Sequence, residues 1–175
     1  MTGESSFIKI QINFLEKIIF APKTKELISQ INLADFTKED QIYFKEFLEF
    51  YNPIKIKVYD IKEIVTEKVR SLLTRKAIKS RDAIDLLFIY NKFKIKPQSL
   101  FNEAREKLLF SINNYEKYKE NLVLTKDKLQ SLEFQYNEVR HLVIKPFKKE
   151  EFDAYVEELK PMLIELAKNM IIAQN

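Results

Sequence analysis

Apolar and polar residues alternate in two short stretches near the start of the chain, and further on they recur at helical spacing. Phe7 to Phe14 reads Phe-Ile-Lys-Ile-Gln-Ile-Asn-Phe. Ile8, Ile10, Ile12 and Phe14 fall on one side and Lys9, Gln11 and Asn13 on the other, the pattern of a half-buried strand. Ile18-Ile19-Phe20 is a candidate extension of that sheet, closed by Ala21-Pro22. Lys23 to Ile31 predicts a short helix. Thr37 reads as an N-cap with Asp40 in a capping-box position, for a helix that runs to about Tyr51 and stops at Asn52-Pro53. Ile54 to Tyr59 alternates again and predicts a second strand.

From Asp60 onward the period becomes helical. Asp60 caps a helix to about Lys76, and Glu63 completes an Asp-x-x-Glu box. Ser80 caps the next, Arg81 to about Phe93. Pro97 opens a helix from about Gln98 to Asn113, and Tyr115 to Glu120 either continues it or turns. Leu129, Leu132, Tyr136, Val139 and Val143 predict one long helix, begun at Thr125 or Lys126 and ended before Pro146. Phe152, Val156, Leu159, Leu163, Leu166 and Met170 form a stripe that continues across Pro161, so a kinked helix or two helices in line are expected. The fold class is therefore α+β, predominantly α: a small partial β-sheet of two to three strands followed by a helical bundle. Residues 1–59 are the partial α/β segment and 60–175 the helical domain.

Composition narrows the chemistry. The 175 residues suffice for one sizeable core. There is no Cys, so disulfides, thiolate metal sites and a Cys nucleophile are excluded. The single glycine is Gly3, which excludes a Gly-rich phosphate loop. His141 is the only histidine and reads as a structural or surface residue. No apolar run approaches the ~20 residues of a membrane span, and the first residues do not look like a signal peptide. A cytoplasmic location without membrane association is expected. The net charge of +4 permits an anionic partner without requiring one.

One conflict stands out within the helical pattern. At about 100° per residue, Ile61, Val65 and Leu72 share an arc, and Lys68 falls inside it with Arg75 at its edge. On the following helix Asp82 shares a face with Leu86, Ile89 and Phe93, while Asp85 lies toward a more polar side. A charge on an apolar face must reach water, find a partner or hold a ligand. Two readings are open. Lys68 and Asp82 or Asp85 form a structural ion pair, or they line a cleft where Lys68 neutralises phosphate oxygens and Asp82 takes a proton or orients a hydroxyl. Lys68, Arg70, Arg75, Lys76, Lys79 and Arg81 follow Glu67 with no acid before Asp82. Such a cluster suits a triphosphate or an RNA backbone, or is a solvated helix end.

These residues resemble the AbiEii-like nucleotidyltransferases, the toxins of type IV toxin–antitoxin systems. That family carries a Glu-x-x-x-Glu-Lys-x-x-(Ala/Ser)-Leu-x-x-Arg helix closely followed by an Arg-Asp-x-x-Asp helix. Glu63, Glu67, Lys68, Ser71, Leu72 and Arg75 match the first pattern, and Arg81, Asp82, Asp85 and Leu86 the second. The resemblance implies that Lys68 and Asp82 are catalytic, that Lys68, Arg75 and Arg81 bind nucleotide phosphates, and that Glu67 and Asp85 support them. It also implies transfer of an NMP from an NTP to an RNA (such as tRNA) or a protein acceptor, with Mg2+ and NTP as cofactors of a complete site.

The family's first motif, a Gly-Ser turn and an Asp-x-Asp strand that binds the metals, has no counterpart here. Gly3 precedes Glu4, and the first aspartate is Asp35. Gln11 stands where the third strand of the family presents an acid. No residue is assigned to metal, and no cofactor is expected for the chain alone. The expectation is the C-terminal part of such an enzyme, inactive alone or completed by a second chain. The alternative is a non-catalytic module that binds protein or RNA on a degenerate scaffold. A bare sheet edge invites cover, so a homo-oligomer or a partner chain supplying the N-terminal half is expected, and an antitoxin is a further partner.

Overall fold

A computed structural model of the chain describes residues 16–27, 36–48, 54–129, 134–143 and 147–172. The expected strand Phe7–Phe14 lies outside the described residues. The elements in order are β1 (Lys23–Glu26), α1 (Lys38–Tyr43), α2 (Lys45–Leu48), β2 (Lys55–Val58), α3 (Ile61–Thr74), α4 (Ser80–Phe93), a 3-10 turn (Pro97–Leu100), α5 (Phe101–Asn114), α6 (Glu116–Leu129), α7 (Tyr136–Val139) and α8 (Lys149–Ile172). This is the expected class, a small antiparallel sheet beside a helical bundle.

The sheet corrects one expectation. Lys23–Glu26 is a strand, where a helix over 23–31 was predicted. It pairs antiparallel with β2 in the register Lys23↔Val58, Thr24↔Lys57, Lys25↔Ile56 and Glu26↔Lys55, extended by Leu27 N–H to Ile54 O at 2.8 Å. The four residues Lys-Thr-Lys-Glu are exposed on both faces, so no apolar period marks them. Their strand conformation is fixed by the ladder with β2, a non-local contact that local propensity does not see. Ile18–Phe20 is not an extension of the sheet. The amides of Ile19 and Phe20 donate to the Glu63 carboxylate instead, at 3.0 and 2.9 Å.

The capping box at Thr37 and Asp40 is present. The helix it starts is interrupted at Phe44, so two short helices replace the single one expected. Neither buries a residue, and helices this short gain little without a packed face.

α3 is the axis of the bundle. It packs against α4, α5, α6, α8 and the 3-10 turn. Asp60 is its N-cap, accepting from Lys62 N–H at 2.8 Å, but Glu63 does not close a box and points into the interior. Val65, Val69, Leu72 and Leu73 are buried among Ala83, Leu86, Leu87, Leu108 and Leu163. Each such Leu or Val contributes about 1.5–3 kcal/mol by leaving water. At the other end Asn121 of α6 donates to Thr74 O at 2.9 Å, satisfying a carbonyl that the helix cannot. α4 ends in a left-handed Lys94, φ 58°. The chain has no glycine there to take that conformation, so a lysine does.

Two further corrections concern the later helices. Ser80 is the first helical residue rather than the cap. Its hydroxyl accepts from Gln135 N–H at 3.0 Å and donates to Glu138 at 3.3 Å, tying α4 to α7 and the residue before it. The predicted long helix over 125–145 is not one helix. α6 already begins at Glu116 and ends at Leu129, and α7 is a single turn. Leu129 and Val139 are both buried in the same core, with Tyr136 packed against it, so the three- and four-residue spacing persists across a break. α8 is one helix with Pro161 inside it. All six residues of its stripe are buried, and Pro161 is exposed, where its missing N–H and its ring disturb packing least.

Candidate functional site

Lys68 lies on α3, and Arg75, seven residues on, is the C-cap that follows its last residue, with an extended backbone. The link 75–79 then returns the chain, and α4 packs against α3. Asp82 and Asp85 come from the first two turns of α4, one turn apart. The result is a cluster of two cations and two anions. Lys68 Nζ donates to Asp82 Oδ1 at 2.9 Å and to Asp85 Oδ2 at 2.5 Å. Arg75 Nη1 donates to Asp82 Oδ2. One carboxylate thus bridges the two cations.

Exposure separates the members. The Asp82 side chain is 1% exposed, while Lys68, Arg75 and Asp85 are 26%, 38% and 45% exposed. Asp82 is therefore the floor and the other three face solvent. Burial works to lower the Lys68 pKa, but the hydrogen bonds that the lysine donates to Asp85 and Asp82 outweigh that, and the pKa is raised above that of an ordinary lysine. The ammonium is fully charged at neutral pH.

Of the six residues assigned from sequence, the structure gathers Lys68, Arg75, Asp82 and Asp85. Arg81 sits beside Asp82 in sequence but is exposed. Glu67 turns to a different cluster. Arg70 embraces it with Nε at 2.9 Å and with Nη2, and Lys107 Nζ approaches to 3.4 Å.

That second cluster was not legible in the helical pattern. Lys107 of α5 and Glu63 of α3 are 1% and 0% exposed and form an ion pair. Lys107 also donates to Glu16 Oε1 at 2.8 Å, whose other oxygen accepts from Tyr59 OH at 2.8 Å. The second Glu63 oxygen takes the Ile19 and Phe20 amides. Burial opposes the Lys107 charge and Glu16 and Glu63 outweigh it, so its pKa is raised. Burial likewise opposes the Glu67 charge, yet Arg70 and Lys107 hold its pKa below the ordinary range. A signal existed: Lys107 stands among the core positions Ala104, Leu108, Ser111 and Ile112.

The acids of the two described clusters do not suit magnesium. Divalent metals of this kind need several carboxylate oxygens converging on one point. Asp82 has both oxygens on protein cations, and Glu63 and Glu67 are committed to Lys107 and Arg70. Among the described residues no three acids or histidines converge on a common metal position. What the arrangement offers is two fixed cations with an open side, suited to phosphate oxygens. Among the described residues no helix is long and apolar enough to cross a membrane.

No curated protein and no solved structure matches the chain. The family of nucleotidyl transferase AbiEii toxins of type IV toxin–antitoxin systems matches residues 2–167, a wider span than the two motif helices that carry the resemblance in the sequence. The chain belongs to the AbiEii nucleotidyltransferase toxin family.

Proposed function

We propose that this chain supplies the nucleotide-phosphate-binding part of a nucleotidyltransferase site whose metal-binding carboxylates come from outside these residues, and that these residues are inactive without them. The complete site would transfer an NMP from an NTP to an RNA or protein acceptor: the acceptor hydroxyl bonds to the α-phosphorus, the α–β anhydride bond breaks, and pyrophosphate leaves. Lys68 and Arg75 bind the triphosphate, with Arg81 at the rim. Residues 60–175 form the domain that carries them, and residues 1–59 a partial α/β segment.

The observation that carries this reading is the buried Asp82 carboxylate bridging Lys68 and Arg75, which holds two partly exposed cations side by side. Both Asp82 oxygens face those cations rather than an acceptor hydroxyl, which favours a positioning role over a base. Ile42, Tyr43, Ile54 and Ile56 are exposed large apolar residues of the N-terminal segment, and they support a covering partner chain. An antitoxin is the further partner that type IV toxin–antitoxin membership suggests.

The test is equilibrium binding of labelled NTP to the chain, with Mg2+ and tRNA present and transfer assayed in parallel. Binding without transfer is expected, weakened about tenfold or more in Lys68→Ala. Absence of NTP binding overturns the proposal. A second reading, a non-catalytic module for RNA or protein, is favoured by the lack of converging acids among the described residues. Retained tRNA binding in a chain that ignores NTP would select it.

A further inference from the structure

Two carboxylates share the Lys68 ammonium, and they are not equivalent. Asp82 is buried and its second oxygen holds Arg75. It cannot leave without stranding a charge in the interior. Asp85 is 45% exposed and, among the described residues, its hydrogen bonds and ion pairs go to Lys68 alone. It is the more exposed of the two carboxylates that hold Lys68, which is itself 26% exposed. A carboxylate oxygen at 2.5 Å from an ammonium nitrogen takes the place that a phosphate oxygen would take. An exposed ion pair of this kind is worth little against water, so Asp85 can rotate away when a more highly charged anion arrives.

We propose that Asp85 is an exchangeable counter-ion that closes the phosphate site in the absence of nucleotide and must be displaced for nucleotide to bind. This deepens the reading of Lys68 and Arg75 as a phosphate site and rests on it. The four charges of the cluster cancel while Asp85 is in place. Its departure leaves a net positive charge on the open face, with Asp82 still aligning both cations. The two acids therefore have opposite effects on binding although both touch one nitrogen. Asp82 holds the site in shape, and Asp85 competes with the ligand. A purely structural role for Asp85 predicts that its removal weakens binding or leaves it unchanged.

The test is calorimetric titration of the full chain with inorganic tripolyphosphate and, separately, with NTP. Wild type is compared with Asp85→Asn, Asp82→Asn and a control, Asp153→Asn. Asp153 lies on α8, is also 45% exposed and is also paired with a lysine, Lys149. It therefore reports the effect of net charge alone. Asp85→Asn is expected to tighten both ligands about three- to tenfold. Asp82→Asn is expected to weaken both, and Asp153→Asn to leave affinity within about twofold of wild type.

If wild type binds and Asp85→Asn binds equally or more weakly, the counter-ion role is overturned and the phosphate site stands. If Asp153→Asn tightens binding as much as Asp85→Asn, the effect is general charge and the inference is again overturned. If neither wild type nor Asp85→Asn binds tripolyphosphate or NTP, the phosphate site itself fails and the inference with it.

Discussion

α3 carries an ion cluster on each of two faces, and the two have different characters. On one face Lys68, Arg75, Asp82 and Asp85 surround a buried carboxylate and open to water. On the other, Lys107 gathers Glu16, Glu63 and Glu67 and is itself buried. The groups are alike, but the second cluster buries a cation and an anion together where the first buries one anion. Where the buried member is one anion under exposed cations, an incoming anion can displace the outermost partner. Where a cation and an anion are buried together and the acids are fastened to backbone amides, a tyrosine hydroxyl and an arginine, no partner is free to exchange. The first arrangement suits a ligand. The second joins residues 16–20 to α3 and α5 and acts as a structural lock. Side-chain exposure, more than the identity of the charges, separates the two roles.

The largest expected effect that tests this contrast is on the lock. Lys107→Met leaves Glu63 buried without its cation and is expected to destabilise the chain by about 3–5 kcal/mol, read from urea unfolding. Adding Glu63→Gln to that variant should restore part of the loss, because the stranded charge is then gone. A cost below about 1 kcal/mol for Lys107→Met would erase the distinction between the clusters.

Asp82→Ala removes the floor of the open cluster, and its cations can turn to solvent. A smaller loss of about 1–3 kcal/mol is expected by the same unfolding measurement. If it matched Lys107→Met, the open face would be as structural as the closed one.

Acid sharpens the comparison further. The folded pKa of Glu67 is depressed, since Arg70 and Lys107 outweigh the burial that would raise it. Its contribution is therefore present above the ordinary carboxylate range and lost as pH falls through the folded value. The Lys107 pKa is raised, Glu16 and Glu63 outweighing burial. Its contribution is complete below the ordinary lysine range and lost only as pH rises beyond it. Unfolding midpoints followed from neutral pH downward should fall less steeply in Glu67→Gln than in wild type. A wild-type slope that Glu67→Gln does not flatten would remove Glu67 from the lock.

The smallest effect belongs to a buried polar group without a partner. The Tyr155 hydroxyl is buried with no hydrogen bond among the described residues, and burial pushes its pKa above the ordinary tyrosine value. Tyr155→Phe is expected to be neutral or stabilising by up to about 1 kcal/mol in thermal unfolding. A clear loss of stability would show that the hydroxyl is satisfied in solution.

The sequence by itself determined the helical framework and the two residues that anchor the open cluster. The caps at Thr37 and Asp60, the paired helices α3 and α4, and the stripe of α8 follow from local spacing and short-range hydrogen bonds, which the order of residues specifies directly. Lys68 and Asp82 stood out because each interrupts an apolar face, and interruptions of period are visible in one dimension. Tertiary structure decided the rest. β1 became a strand through its ladder with Lys55–Val58, which is distant in the chain. The expected long helix was broken where Ser80 binds Gln135 and Glu138. Glu63 was drawn from a capping role to Lys107 because the interior holds a cation there and the N-terminus of α3 is already served by Asp60. Which acid is buried and which can leave depends on the packing of α4 against α3, since exposure is a property of neighbours in space and no residue carries it along the chain.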